Sequence, residues 1–186
     1  GFSGGVDSAV CAALLKKQGH EVCGLYMDNA DEKSRQDAVQ TAAFLNIELR
    51  VLEMRGELEE KVCRPFADCY LRGETPNPCI LCNPSVKFKN LLAEADRVGA
   101  EFIATGHYAR AENGALYKGR PANDQSYMLC RLTREQLQRV IFPLGTYEKT
   151  QVRALAEELA LPVAKKPDSM EICFIPDKDY VNWLAG

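Results

Sequence analysis

Apolar residues recur at helical spacing from the start of the chain: Val10, Ala13 and Leu14 follow the opening "GFSGGVDSAV" on one face, and Gly19 supplies a left-handed stop. "EVCGLYM" then reads as a strand. A second helix sets Ala38, Ala42 and Leu45 on one face, and "IELRVLEM" reads as the next strand. Leu58, Val62, Phe66 and Tyr70 continue the helical period, with a kink or break expected at Pro65. Beyond the proline-rich "TPNPCILCNP", Leu91, Leu92 and Ala95 mark a helix that leads into the strand "EFIATGHYA". Asn113-Gly114, inside "YARAENGALYKG", predicts a type I′ turn and a local hairpin. Thr146 is the expected cap of a helix carrying Val152, Leu155, Ala156 and Leu159, before a polar loop and "EICFI". Strands alternating with helices predict an α/β fold, a parallel sheet with helices on both faces plus the hairpin. No repeat, low-complexity tract or long linker interrupts it, so residues 1–186 read as one domain.

Composition narrows the class. With 46% hydrophobic and 26% charged residues, the chain can bury one ordinary core. No apolar run reaches the roughly 20 residues of a spanning helix, so no membrane partner is expected. Eight cysteines at uneven spacing suit catalytic, metal-binding or buried thiols in a cytoplasmic setting better than a secreted disulfide framework. The net charge of −3 gives no overall bias toward polyanions, but it is unevenly spread. Residues 110–139 hold six Lys/Arg against three Asp/Glu, whereas residues 1–60 hold six against eleven. The basic stretch is a candidate nucleic-acid surface, with a solvated charged face as the alternative.

The chemistry starts at "SGGVDS". In an open parallel sheet, ligands sit at the carboxyl ends of the strands, where helix N-termini bind phosphate. Gly4 and Gly5 allow close backbone approach, and Ser3 and Ser8 offer hydroxyls. No Gly-Lys-Ser/Thr follows, so this is not a Walker A loop, and the spacing does not match the dinucleotide fingerprint. The string resembles the loop of the ATP pyrophosphatase superfamily, of adenine nucleotide alpha hydrolase-like fold. That resemblance implies ATP binding by Gly1, Phe2, Ser3, Gly4, Gly5, Val6, Asp7 and Ser8, and transfer of AMP to a substrate oxygen. It also implies a strand ahead of the loop, so the chain reads as a piece that starts inside its first βα unit.

Further strings identify the branch. "TPNPCILCN", "ATGHYAR", "NDQSYML", "FPLG" and "KPDSMEICFIPD" occur in this order and resemble the tRNA-specific 2-thiouridylases from Gly1 to about Tyr180. The resemblance implies ATP-dependent replacement of the 2-oxygen of the wobble uridine by sulfur, in tRNAs for Glu, Gln and Lys. It implies a central and a C-terminal β domain beyond residue 186. It assigns Met27 to adenosine and Gly106 to ATP, and it assigns Asn77, Pro78, Cys79, His107, Asn123, Asp124 and Gln125 to tRNA. Mg²⁺ is expected with the ATP, with Asp7 as its candidate ligand. The implied sulfur donor is a cysteine desulfurase, a sulfur relay protein or sulfide.

A uracil carbonyl is a poor electrophile with a poor leaving oxygen, and adenylation converts that oxygen into AMP. Sulfur is then best carried as a persulfide, which is more acidic than a thiol and leaves a sulfur behind on reduction. By resemblance, Cys173 in "EICFI" carries the persulfide and Cys82 in "CILCN" is the nucleophile that releases it, closing a disulfide. Many members have aspartate where Cys79 stands. In others, cysteine at this place joins the other two in holding a four-iron cluster with one open iron, so Cys79, Cys82 and Cys173 are candidate iron–sulfur ligands. Cys79 inclines the expectation toward the cluster, and both routes stay open. Cys11, Cys23, Cys63, Cys69 and Cys130 read as core or bystander thiols. A structural zinc would need a second cysteine pair, which is missing. Two other readings remain: another ATP pyrophosphatase, such as an amidotransferase synthetase, sharing only Gly1–Ser8, or a non-catalytic RNA-binding module that needs only the basic stretch.

Overall fold

The computed structural model describes residues 1–29, 31–168, 172–175 and 179–185. Residues 169–171, 176 and 177 of the "KPDSMEICFIPD" string lie outside the described residues, as do residues 30, 178 and 186.

Helix α1 (Val6–Lys17) opens the chain and ends as expected, with Gly19 just beyond it at φ +89°. Strand β1 (Cys23–Asp28), helix α2 (Glu32–Phe44) and strand β2 (Glu48–Glu53) form a βαβ unit, with β1 and β2 parallel and Cys23 opposite Glu48. The Asp31 carboxylate caps α2 by accepting from the Ser34 N–H at 3.1 Å. The next helical stretch contradicts the expected break at Pro65. The chain stays helical through α3 (Arg55–Leu58), a π-helical turn (Glu59–Cys63) and α4 (Arg64–Leu71). Pro65 falls in the first turn of α4, directly after the wider π turn, where its missing N–H breaks no regular α ladder. The same device recurs where α5 (Pro78–Cys82) passes through a second π turn (Asn83–Lys87) into α6 (Phe88–Val98).

The stretch 101–109 is less strand-like than its pattern. Before Ala109 only β3 (Ile103–Ala104) is strand, and it pairs in parallel with β6 (Val140–Ile141), which the pattern did not mark. The backbone leaves the sheet at Gly106 to pack on the phosphate loop, where a Cβ would stand 2.9 Å from the Asp7 carbonyl carbon. The hairpin is as expected. Strands β4 (Ala109–Glu112) and β5 (Ala115–Lys118) are antiparallel about Asn113 (φ +54°) and Gly114 (φ +76°), the two left-handed residues of a type I′ turn. After α7 (Arg134–Gln138), helix α8 (Lys149–Glu158) starts two residues later than the Thr146 cap predicts. Glu148 caps it instead, in a reciprocal box with Gln151. The Thr146 carbonyl accepts from Arg120 at 3.2 Å. A short helix, α9 (Tyr180–Ala185), closes the described chain.

Successive residues of β1 point to opposite faces, and they show how the layers are stacked. Leu25 packs in a cluster with Phe88, Leu91 and Ala95 of α6, while Tyr26 packs with Ala38 and Ala42 of α2. Helices therefore cover both faces. Between the β1–β2 and β3–β6 pairs run residues 1 and 2, with the Phe2 N–H donating to the Leu25 carbonyl at 2.8 Å and the Gly1 nitrogen to the Ala104 carbonyl at 2.7 Å. A cavity of about 1070 Å³ adjoins them, lined by Gly24, Leu25, Ile103 and Ala104 of the flanking strands and by Leu15 and Leu91.

Gly145 in "FPLG" makes one sharp test of this packing. A Cβ there would lie 2.0 Å from the Ala109 carbonyl oxygen, a backbone atom of β4 that cannot step aside alone. Gly145→Ala should lower stability by about 1–3 kcal/mol through overpacking, read as a shift in the urea midpoint at constant slope.

Candidate nucleotide and thiol site

The phosphate loop is held from three sides. Inside it, the Ser8 hydroxyl donates to the Gly5 carbonyl at 3.0 Å and receives the Ser3 N–H at 3.2 Å. Gly4 adopts φ +71°, and a Cβ on it would stand 2.2 Å from the Ser34 carbonyl oxygen of α2. Only glycine can make that approach. The Lys166 ammonium fixes the contact by donating to the Gly4 carbonyl at 3.0 Å, to the Ser34 hydroxyl at 3.2 Å and to Asp37 at 2.6 Å. Gly106 closes the third side against Asp7. The expected ATP residues Gly1–Ser8 and Gly106 are thus brought together at the N-terminus of a 12-residue helix, whose partial positive charge favours an anion. Met27 lies near the end of β1 and packs half-buried between two core clusters.

Asp7, the loop's one carboxylate, is fully engaged. Both of its oxygens accept from Lys149, at 2.7 and 2.8 Å, and one also accepts from the Tyr108 hydroxyl at 2.8 Å. Tyr108 is buried, and its hydroxyl is held protonated, raised first by burial and then by Asp7. Lys149 also pairs with Asp168 at 2.7 Å, and Arg153 pairs with the same Asp168 oxygen at 2.7 Å. Lys149, Tyr108, Arg153 and Lys166 were not singled out from the sequence. Tyr108 carried a signal as part of "ATGHYAR", and Lys166 and Asp168 as the start of the "KPDSMEICFIPD" string.

The thiols gather around the helical run from α3 to α6. Cys82 is buried in a cluster with Met54, Leu58, Val62, Cys63 and Val86, against which Phe174 and Trp183 pack. Phe174 is fixed edge-on to Phe66 at 5.5 Å and tilted against Trp183 at 5.2 Å, so α9 and α4 together anchor the residue next to Cys173. The Asn29 side chain donates to the Cys173 carbonyl at 3.4 Å. Burial pushes the Cys82 thiol up to about 11, Lys87 opposes this, and Cys173 and Cys79 add to it. Cys63, expected as a bystander, belongs to the same group, with its thiol pushed up to about 12 by burial, then by Glu59 and Cys173. All eight cysteines are free.

The residues expected to meet tRNA divide by what their side chains already hold. Asn77 is exposed and caps α5 by accepting from the Cys79 N–H at 3.1 Å, with Pro78 buried beside it. Asp124 accepts from the Gly119 and Ser126 N–H groups and from the Ser126 hydroxyl. Gln125 pairs twice with the backbone of Tyr108, at 3.0 and 2.9 Å. The Asn123 amide, oriented to satisfy both its ends, accepts from the Lys149 N–H at 3.1 Å. This string therefore forms the wall behind Asp7. Within the basic stretch, Arg139 is tied to Asp96 and Arg110 to Glu112, while Lys118, Arg120, Arg131 and Arg134 are exposed without an ion pair among the described residues.

Residues 1–177 match the family described as the tRNA methyl transferase HUP domain. The chain belongs to that family. Among its curated relatives, the tRNA-specific 2-thiouridylase MnmA of Syntrophotalea carbinolica is 50% identical over 197 residues, covering 98% of this chain and 56% of that protein. MnmA of Geobacter metallireducens is 46% identical over 206 residues, with coverage of 98% and 56%. The chain thus spans 56% of the length of these relatives. Among solved structures, NMN synthetase from Francisella tularensis superposes with a TM-score of 0.55 at 20% identity, over 90% of this chain and 64% of that one. A predicted subunit of tRNA methyltransferase from Methanocaldococcus jannaschii gives a TM-score of 0.55 at 25% identity, over 84% and 72%. These superpositions bear out the α/β fold. No described helix is long and apolar enough to cross a membrane.

His107 joins the two halves of the site. Its Nδ1 lies 2.8 Å from the Thr105 hydroxyl, and its ring packs 6.0 Å from Phe88, the residue after Lys87. Burial, then Lys87, lower its pKa to about 3. Because the folded value lies below the unfolded one, the imidazole stays neutral through the physiological range, and its contribution to stability is lost as pH falls below the unfolded value. A ¹H NMR titration should show its ring protons unshifted from pH 8 to about pH 5, well below the usual histidine midpoint.

Proposed function

We propose that this chain is the ATP-using part of a tRNA-uridine 2-sulfurtransferase that thiolates the wobble uridine of tRNAs for Glu, Gln and Lys. The observation that carries this reading is the buried cluster that holds Cys82 and packs against Phe174, the residue next to Cys173, in a chain that also presents the glycine loop at the N-terminus of α1. A loop alone would serve any adenylating enzyme. The thiol group gives the adenylate something to react with.

In the proposed sequence, the uracil 2-oxygen attacks the α-phosphorus of ATP and pyrophosphate leaves. The terminal sulfur of a Cys173 persulfide then attacks C2, and AMP leaves with the oxygen. Cys82 attacks the Cys173 sulfur, the S–S bond to the base breaks, and 2-thiouridine is released with a Cys82–Cys173 disulfide. An external thiol reduces that disulfide, and a persulfide donor of the desulfurase or relay type reloads Cys173. Mg²⁺, when bound with ATP, would screen the phosphates, and Asp7, its candidate ligand, has both oxygens on Lys149 in this structure. The iron–sulfur route would use Cys79, Cys82 and Cys173 as ligands, and no step is drawn through a cluster. Lys118, Arg120, Arg131 and Arg134 would position the tRNA by its phosphates, and base flipping would expose the 2-carbonyl.

With unmodified tRNA, ATP and a persulfide donor, the protein should form AMP, pyrophosphate and 2-thiouridine in equal amounts, read by nucleoside mass spectrometry. ADP in place of AMP would overturn the assignment. Cys82→Ser and Cys173→Ser should abolish 2-thiouridine, and Cys79→Ser should keep part of it in iron-free protein. Loss of iron and activity together in all three variants would restore the cluster.

The cavity between β1 and β3 is proposed as the seat of a further strand parallel to both, preceding the loop in sequence. The central and C-terminal β domains are proposed to make up the remaining length of the relatives. A chain extended by such a strand should melt several degrees higher in calorimetry. An unchanged melting temperature would remove the strand from this place.

A further inference from the structure

The hairpin of β4 and β5 has two unlike faces. Ala109, Ala111 and Leu116 turn inward and pack on the core cluster that holds Phe88 and Leu132. Arg110 and Tyr117, directly opposite each other in the register, alternate with them and so share the outer face. The Arg110 guanidinium lies over the Tyr117 ring, 5.5 Å from its centroid, yet the tyrosine stays 44% exposed. Arg110 is fixed there by donating to the Lys118 carbonyl at 3.3 Å and to Glu112 at 3.1 Å, so its charge is already answered. What this face offers a partner is flat surface more than charge.

Charge stands instead at the two ends of the hairpin. At the turn, a Cβ on Gly114 would lie 2.8 Å from Cγ and 3.3 Å from Nε of Arg134, so this arginine lies against the loop. At the open end stand Lys118 and Arg120. All three cations are exposed, without an ion pair among the described residues. The open end is also tied to the nucleotide site, because the Gly119 N–H donates to Asp124 at 2.9 Å and Arg120 Nε to the Thr146 carbonyl at 3.2 Å. Tyr108, whose hydroxyl reaches Asp7, directly precedes β4. At the rise of a strand, Arg110 stands about 7 Å beyond it. An exposed ring between separated cations suits an unpaired stretch of nucleic acid, with phosphates on the cations and a base on the ring. A base-paired stem has no open base face to place there, so the fit is to single-stranded RNA.

We propose that the outer face of this hairpin is a stacking platform, on which Tyr117, backed by Arg110, holds an unpaired anticodon-loop base other than the uridine that is thiolated. The inference rests on the tRNA reading above. It adds to the phosphate contacts one that every base can make, so the platform fixes where the loop lies and not which sequence it has.

The test is the binding of unmodified tRNA that carries 2-aminopurine in place of an anticodon-loop purine, whose fluorescence falls when the base stacks. Tyr117→Leu keeps an apolar strand residue but removes the flat face. It should weaken binding about 10-fold, abolish the fall in fluorescence and leave the salt dependence of binding unchanged. Arg134→Gln should do the reverse, lowering the slope of log K against log salt by about 1 and keeping the fall. Tyr117→Trp should bind at least as tightly as wild type and keep the fall, and it carries the test if the leucine variant does not fold. A leucine variant that binds and quenches like wild type would overturn the platform. So would a tryptophan variant that binds more weakly, since a larger ring improves a stack but crowds a fitted contact with another protein segment. Wild-type protein that binds no tRNA would instead remove the tRNA reading itself, and the platform with it.

Discussion

The backbone contact between Gly4 and α2 is the constraint on which the site depends. The carbonyl of Ser34 sits where any side chain at position 4 would begin, so the loop can turn against α2 only with glycine in a left-handed conformation. Lys166 makes the contact directional by holding both partners and Asp37 with one ammonium. With the loop fixed, α1 starts at Val6, its free N–H groups face the carboxyl edge of the sheet, and Asp7 falls where Gly106, Tyr108 and Lys149 can meet it. Those three residues lie 99 or more positions further along the chain, so the loop is also the knot that ties the second half of the sequence to the first.

The two halves of the site are built on different principles. The nucleotide half is polar and nearly charge-balanced, with each cation assigned to particular acids or carbonyls. The thiol half is apolar: Cys63 and Cys82 sit among Met54, Leu58, Val62 and Val86, and desolvation keeps both thiols protonated at rest. Such thiols are protected from casual oxidation and exchange, because the thiolate is the reactive form. Lys87 is the half-buried cation that opposes this, acting on Cys82, Cys173 and His107 from the end of a π-helical turn. Wide turns of this kind often sit where a helix has to aim a side chain into a site. Here the turn lets one helical run present Cys82 to the thiol cluster and Phe88 to His107.

The elements that the hydrophobic pattern marked well are those whose local chemistry and tertiary role agree. The Asn113-Gly114 turn, the left-handed Gly19 and the buried face Ala38–Ala42 of α2 need only their own neighbours in sequence. The pattern failed where packing overrode it. Strand 101–109 shrank to two residues because Gly106 had to reach Asp7, and Pro65 did not break its helix because a π turn precedes it. Nor did any sequence signal show that Asp124 and the Gln125 oxygen accept from backbone N–H groups of Gly119, Ser126 and Tyr108.

By itself the sequence determined the fold class, the family and the two chemical parts, because glycine spacing, cysteine pairs and motif order are written in one dimension. "SGGVDS" marked the glycine loop at the start of α1, and Cys82 and Cys173 were marked by the strings around them. Only the tertiary structure decided what surrounds these parts: that Cys63 shares a buried cluster with Cys82, that Phe174 packs against it, and that Lys149, Tyr108 and Lys166 hold the loop. The physical reason is range. A turn or a helix face is set by residues a few positions apart, whereas an ion pair such as Lys149–Asp7 spans 142 positions and exists only because the folded sheet brings its ends together.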